Sequence, residues 1–276
     1  MRPILVSLLL LSSPFALAGE CRFTAERHLD IDPAGVQALR MELGASDLDV
    51  RGDAAATRIE VRAKACASEQ AWLDELQIQQ SREGGKAVVK PAPRPSHDGL
   101  FGKQYAYLDF VVRVPANLAI EVDSGSGDTH AANLASLDYH AGSGDLNLDR
   151  AVGAVAVTIG SGDVVASHVG GFKVVSAGSG DLRVEDVQGD VAIGHVGSGD
   201  LSFSDVRGSV RAESIGSGDF SAEKVGGDVA IGTIGSGDVS AKTVGGNLIV
   251  RSAGSGDIHH SGVVGKVEVP KRHEDD

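Results

Sequence analysis

From residue 125 onward the apolar and polar positions of the chain recur in a short phrase. Between Asp181 and Gly199 the apolar residues are Leu182, Val184 and Val187, then Val191, Ile193 and Val196, so each half reads apolar-x-apolar-x-x-apolar. The alternating pair has the period-two signature of a strand with one buried face, and β-branched residues suit a pleated surface. The three-residue step to the last apolar position predicts a bend at each strand end. Glycines follow where the chain must turn, which predicts backbone angles that other residues resist.

The phrase repeats. Gly-Ser-Gly-Asp occurs eight times, ending at Asp128, Asp145, Asp163, Asp181, Asp200, Asp219, Asp238 and Asp257, with spacings of 17, 18, 18, 19, 19, 19 and 19 residues. Six residues after each Asp stand Leu134, Ala151, Val169, Val187, Val206, Val225, Val244 and Val263, all apolar, and a second glycine column (Gly153, Gly171, Gly189, Gly208, Gly227, Gly246, Gly265) falls two residues later. One such period cannot bury its own apolar face, but stacked periods bury it continuously. The prediction is an all-β chain, a parallel β-solenoid (β-helix) of about eight coils with a 17–19 residue period. At about 4.8 Å per coil it would extend roughly 38 Å. The periods leave no room for the helices of a doubly wound sheet.

Outside the repeat, residues 1–18 read as a signal peptide: Arg2, an apolar run from Ile4 to Leu11, and Ala16-Leu17-Ala18 before a cut. Residues 19–103 are expected to form an irregular β-rich N-terminal region or degenerate coils. Within them, Asp47 to Gly52 echoes the repeat, Arg58 to Ala65 alternates like a strand, and Glu69 to Leu76 reads as a short helix with Trp72 packing inward. The stretch from Pro91 to Gly99, with three prolines, reads as a loop. The solenoid is assigned to 104–270 and a charged tail to 271–276, whose proline-led charge would blunt the open sheet edge.

Charge and composition then narrow the partners. The formal net charge of −13 and the lack of any basic stripe argue against nucleic acid. No segment after the first approaches the ~20 apolar residues of a membrane-spanning helix. With export, the two cysteines, Cys21 and Cys66, are expected to pair.

The chain resembles the bacterial β-strand-repeat family of adhesin-like proteins, the adhesin-head GIN-type domains. The likeness rests on the export-type start, on Phe110 to Leu118 leading into the first Ser-Gly-Ser-Gly-Asp, and on the Gly-Ser-Gly-Asp ladder itself. It implies a β-solenoid with a structural or surface-binding role and carries over no catalytic residue.

Three functions are weighed. The first is a non-catalytic binding or scaffolding module of the cell envelope, in the periplasm or on the cell surface, with no cofactor. Its partner is an envelope or surface ligand, protein or glycan, met by outward residues such as Arg183, Glu185, Ser202, Ser204, Arg211, Glu213, Glu223, Lys224 and Lys242. The second is a calcium-binding repeat, with Asp145, Asp163, Asp181, Asp200, Asp219, Asp238 and Asp257 as ligands. It is disfavoured because calcium wants six to eight oxygens and each coil offers one carboxylate; the expected role of each Asp is to turn its carboxylate onto amides of its own glycine corner. The third is a polysaccharide-active β-helix enzyme. Acid/base chemistry needs dissimilar groups converging at one place, whereas His130, His140, His168 and His195 are scattered. His259-His260 could catch a metal, although His260 falls on an inward-type column.

Overall fold

The computed structural model describes residues 21–93 and 105–270. The expected signal peptide, most of the proline loop and the charged tail lie outside these residues. The N-terminal part supplies β1 (Phe23–Ile31), β2 (Ala38–Gly44), β3 (Leu48–Asp53), β4 (Ile59–Ala67), helix α1 (Gln70–Glu75), β5 (Ile78–Glu83), β6 (Lys86–Pro91) and β7 (Ala106–Pro115). Then β8 (Ala119–Ser124) and β9 (Thr129–Leu134) open the regular coils.

The chain is a parallel β-solenoid of about eight turns, built as two ladders with one core between them. In the first ladder β1, β4 and β7 run antiparallel; β7, β3 and β9 are then parallel, and the strands after each Gly-Ser-Gly-Asp continue to Ile258–Val263. In the second ladder β5 and β6 are antiparallel, and β6, β2 and β8 lead in parallel into the other strand of each coil. The chain follows the second corner without a break in two coils, so Leu146–Ile159 and Val164–Ala177 belong to both ladders.

The periodicity maps onto burial as expected. Leu182, Val184, Val187, Val191, Ile193 and Val196 are all buried, while Arg183 and His195 are exposed. The column six residues after the Asp is buried from Leu134 to Val244, and Val206 is 1% exposed. The bend before this column comes from one residue in the left-handed region: Asn133, Arg150, His168, Asp186, Asp205, Lys224, Thr243 and Gly262, with φ between 52° and 72°. That single reversal turns the next side chain inward again and produces the three-residue step.

The glycines of the repeat have a different reason from the one expected. None of those in Gly-Ser-Gly-Asp has a positive φ of the left-handed kind. They are small because the coils touch at this corner: a Cβ on Gly199 would sit 1.9 Å from the Gly180 carbonyl oxygen of the coil before.

The N-terminal strands extend the same stack. Leu48 of β3 pairs with Thr129 on one side and Phe110 on the other, so β2 and β3 form a layer in line with the first full coil. Helix α1 is short and lacks a side-chain N-cap; it is held by buried Leu73 and by Arg27, whose guanidinium donates to the Leu73 and Leu76 carbonyls. Trp72 is partly buried against the core. Cys21 and Cys66 form a disulfide, with Cα atoms 5.6 Å apart, that ties the start of β1 to β4.

Candidate functional site

Along the first corner the aspartates form a hydrogen-bonded column. In each coil the Asp backbone N–H donates to Oδ1 of the Asp one coil earlier: Asp145 to Asp128, Asp163 to Asp145, Asp181 to Asp163, Asp200 to Asp181, Asp219 to Asp200, Asp238 to Asp219 and Asp257 to Asp238, at 2.7–3.0 Å. The carboxylates therefore do not fold onto their own glycine corners; they reach across to the next coil. The reason is geometric. The residue after each Asp donates its N–H forward to the next coil's Asp carbonyl, as Leu201 does to Asp219, and the Asp side chain supplies an acceptor for the amide that the turning backbone leaves over.

The column starts earlier than the eight motifs. Asp47 Oδ1 accepts the Asp128 N–H at 2.9 Å although 81 residues separate them. A second column, missed in the sequence, runs along the opposite corner: Asp190 Oδ1 accepts from Ser209 N–H, Ser209 Oγ from Asp228 N–H, Asp228 Oδ1 from Asn247 N–H, and Asn247 Oδ1 from Lys266 N–H. These residues share one position, nine after each Asp. The signal was there as a column of short acceptors, hidden because Asp, Ser and Asn alternate in it.

The histidines stay apart. His168 lies on the outer face, its Nδ1 3.0 Å from Asp149 and its Nε2 3.9 Å from Asp186, and His140 pairs with Asp138 at 3.2 Å. His130 and His195 are exposed on different ladders. His260 is exposed despite its inward-type column, because no described coil lies beyond it to cover it. Among the described residues, no group of three or more His, Cys, Asp or Glu side chains is placed to hold a metal ion. In the core, Tyr139 donates toward the Gly144 and Asp145 carbonyls, and burial pushes its hydroxyl up to about 12.

A set of fixed polar groups lies on the outer face where β3 and β7 meet the end of β9. Arg51 grips Asp49 with Nε and Nη2 at 2.8 and 2.9 Å, and Arg113 holds Asp53 with Nε at 2.9 Å while its Nη1 lies 3.7 Å from Glu60. The Ala55 amide and then Arg113 hold the Asp53 carboxyl below the usual carboxylate range. Beside these pairs Val111 is 56% exposed, and an open groove of about 780 Å³ runs between them toward Asn133. Asp109, on the same strand, behaves in the opposite way: burial, and then the nearby Asp47, push its carboxyl up.

No family model matches the chain, and no curated protein matches it. Among solved structures it is similar to a candidate cell adhesion protein from Clostridium sporogenes (13% identity, 89% of this chain and 100% of that one, TM-score 0.32). It is also similar to a candidate adhesin from Bacteroides fragilis (14%, 90% and 97%, TM-score 0.43) and a candidate lipid binding protein from Parabacteroides distasonis (17%, 89% and 97%, TM-score 0.38). Each is a distant likeness in the course of the chain, and the functional reading rests on this chain's own residues.

Proposed function

We propose that the protein is an exported, non-catalytic binding or scaffolding module of the bacterial envelope, in which residues 19–103 cap a solenoid spanning 104–270. The observation that carries this reading is the pair of corner columns, whose amide-to-side-chain bonds lock coil to coil and so hold two polar outer faces at fixed spacing. A surface fixed in advance loses little conformational freedom on binding. The Cys21–Cys66 bridge supports an extracytoplasmic location, since disulfides persist where thiols are not kept reduced. No helix among the described residues is long and apolar enough to cross a membrane.

The test is retention of the intact mature protein on envelope fractions, with peptidoglycan and lipopolysaccharide presented separately. Saturable retention by one fraction is expected. Equal passage through all of them would leave an inert structural element.

A further inference from the structure

The groove lies on the outer face where the pairing of β3 with β9 ends. β3 runs straight and stays paired with β7 to its end, Asp53 opposite Pro115, but its pairing with β9 stops at Arg51 opposite Ala132. The next residue of β9, Asn133, has φ 55°, the reversal that turns the Leu134 side chain into the core. In the equivalent place β3 has Gly52, outside the left-handed region, so no bend follows. Gly52 instead packs against β9, where a Cβ would sit 2.0 Å from the Asn133 carbonyl oxygen, and beside this contact lies an opening of about 780 Å³.

We infer that this groove binds a neutral oligosaccharide, which deepens the binding-module reading and rests on it. The chemistry of its walls fits vicinal hydroxyls. A sugar hydroxyl both donates and accepts, and Asp49 with Arg51, and Asp53 with Arg113, present acceptor and donor side by side in planes already fixed by two-point pairing. Asn133, in the groove wall, carries a side-chain amide that can do both. Val111, 56% exposed and opposite Asp49 in the strand register, offers an apolar surface to the C–H face of a pyranose ring. The charges select against an acidic chain: Asp49, Asp53 and Glu60 outnumber Arg51 and Arg113, on a protein of formal charge −13.

The experiment titrates the protein lacking residues 1–18 with cellohexaose, maltohexaose and hexa-N-acetylchitohexaose, and with hexagalacturonate as the acidic counterpart. The variants are Arg51→Ala, Val111→Glu and Arg183→Ala. Arg183 is the internal control: it pairs with Glu185 two residues along its strand on the same outer face, as Arg51 pairs with Asp49, but lies outside the groove. The expected result is saturable binding of at least one neutral hexasaccharide, weakened tenfold or more by Arg51→Ala and by Val111→Glu and unchanged by Arg183→Ala, with all melting midpoints within a few degrees. Absence of binding by all three neutral probes, tighter binding of hexagalacturonate, or equal losses in Arg51→Ala and Arg183→Ala would overturn the assignment. Envelope retention that survives Arg51→Ala would remove the groove while leaving the binding-module reading in place.

Discussion

In the coils from Asp128 to Asp257 the strands meet near-identical neighbours in parallel, whereas β1, β4 and β5 meet theirs only antiparallel, and β7 and β6 are antiparallel on one side and parallel on the other. The same residue type consequently serves two purposes. Gly35, Gly84 and Gly85 in the N-terminal region have φ of 74°, 55° and 82°, with no backbone pressed against them; they are turn residues. Gly199 and its equivalents meet the carbonyl of the coil before and have no space for a Cβ. A repeat that stacks on itself is limited by contact between coils, while a meander is limited by the angles of its own turns. The antiparallel strands also give the N-terminal end of each ladder an edge unlike the coils, with β1 of nine residues and β5 of six polar-rich ones outermost.

The largest effect that would break this contrast is expected from Val206→Asp, which puts an unpaired carboxylate into a column apolar in every coil and should cost about 5 kcal/mol. Ser204→Asp, facing outward two residues earlier, should change the melting midpoint little. Equal losses would mean that the inward and outward faces are misassigned. Next comes the N-terminal region, where the disulfide closes a loop of 45 residues; replacing Cys21 and Cys66 by Ala should destabilise by about 4 kcal/mol on the chain-entropy model. Amide exchange should localise that loss to β1 and β4 and spare the coils beyond Asp181. A uniform loss would mean that cap and coils unfold as one unit.

Smaller again is the glycine pair that defines the contrast. Gly199→Ala should cost about 3 kcal/mol, because two coils must move apart to admit a methyl group, and Gly35→Ala about 1 kcal/mol, from backbone strain alone. Thermal melts of the two variants rank them directly. If Gly35→Ala proved the worse, contact between coils would not be what selects glycine in the repeat.

Much of this was legible in the amino-acid order. The Val206 column, the Asp spacing and the pairing of Cys21 with Cys66 each follow from a local pattern or from a count of cysteines. What stayed hidden depends on neighbours that sequence distance conceals. The echo at Asp47 was visible, but not that it sits under Asp128 with 81 residues between them. The direction of the carboxylates was misjudged because an Asp in a turn ordinarily bonds locally, and only the stacked coil reveals an amide without a backbone acceptor. The left-handed column could not be read from residue type, since Arg150, Lys224 and Thr243 occupy it beside Asn133 and Gly262. The groove at Arg51 and Arg113 required knowing that β3 and β7 are adjacent.

The central claim is that the aspartates hold coil to coil through amide bonds and need no cation between them. The direct measurement is amide exchange at Asp219 in EDTA, in the wild-type protein and in Asp200→Ala, which removes the acceptor at 2.9 Å. The wild-type Asp219 amide is expected to stay protected without metal, and Asp200→Ala to lose protection there with a destabilisation of about 1 kcal/mol. Fast exchange at Asp219 in wild-type protein treated with EDTA, with protection restored by millimolar calcium, would contradict it and make the column a metal ladder.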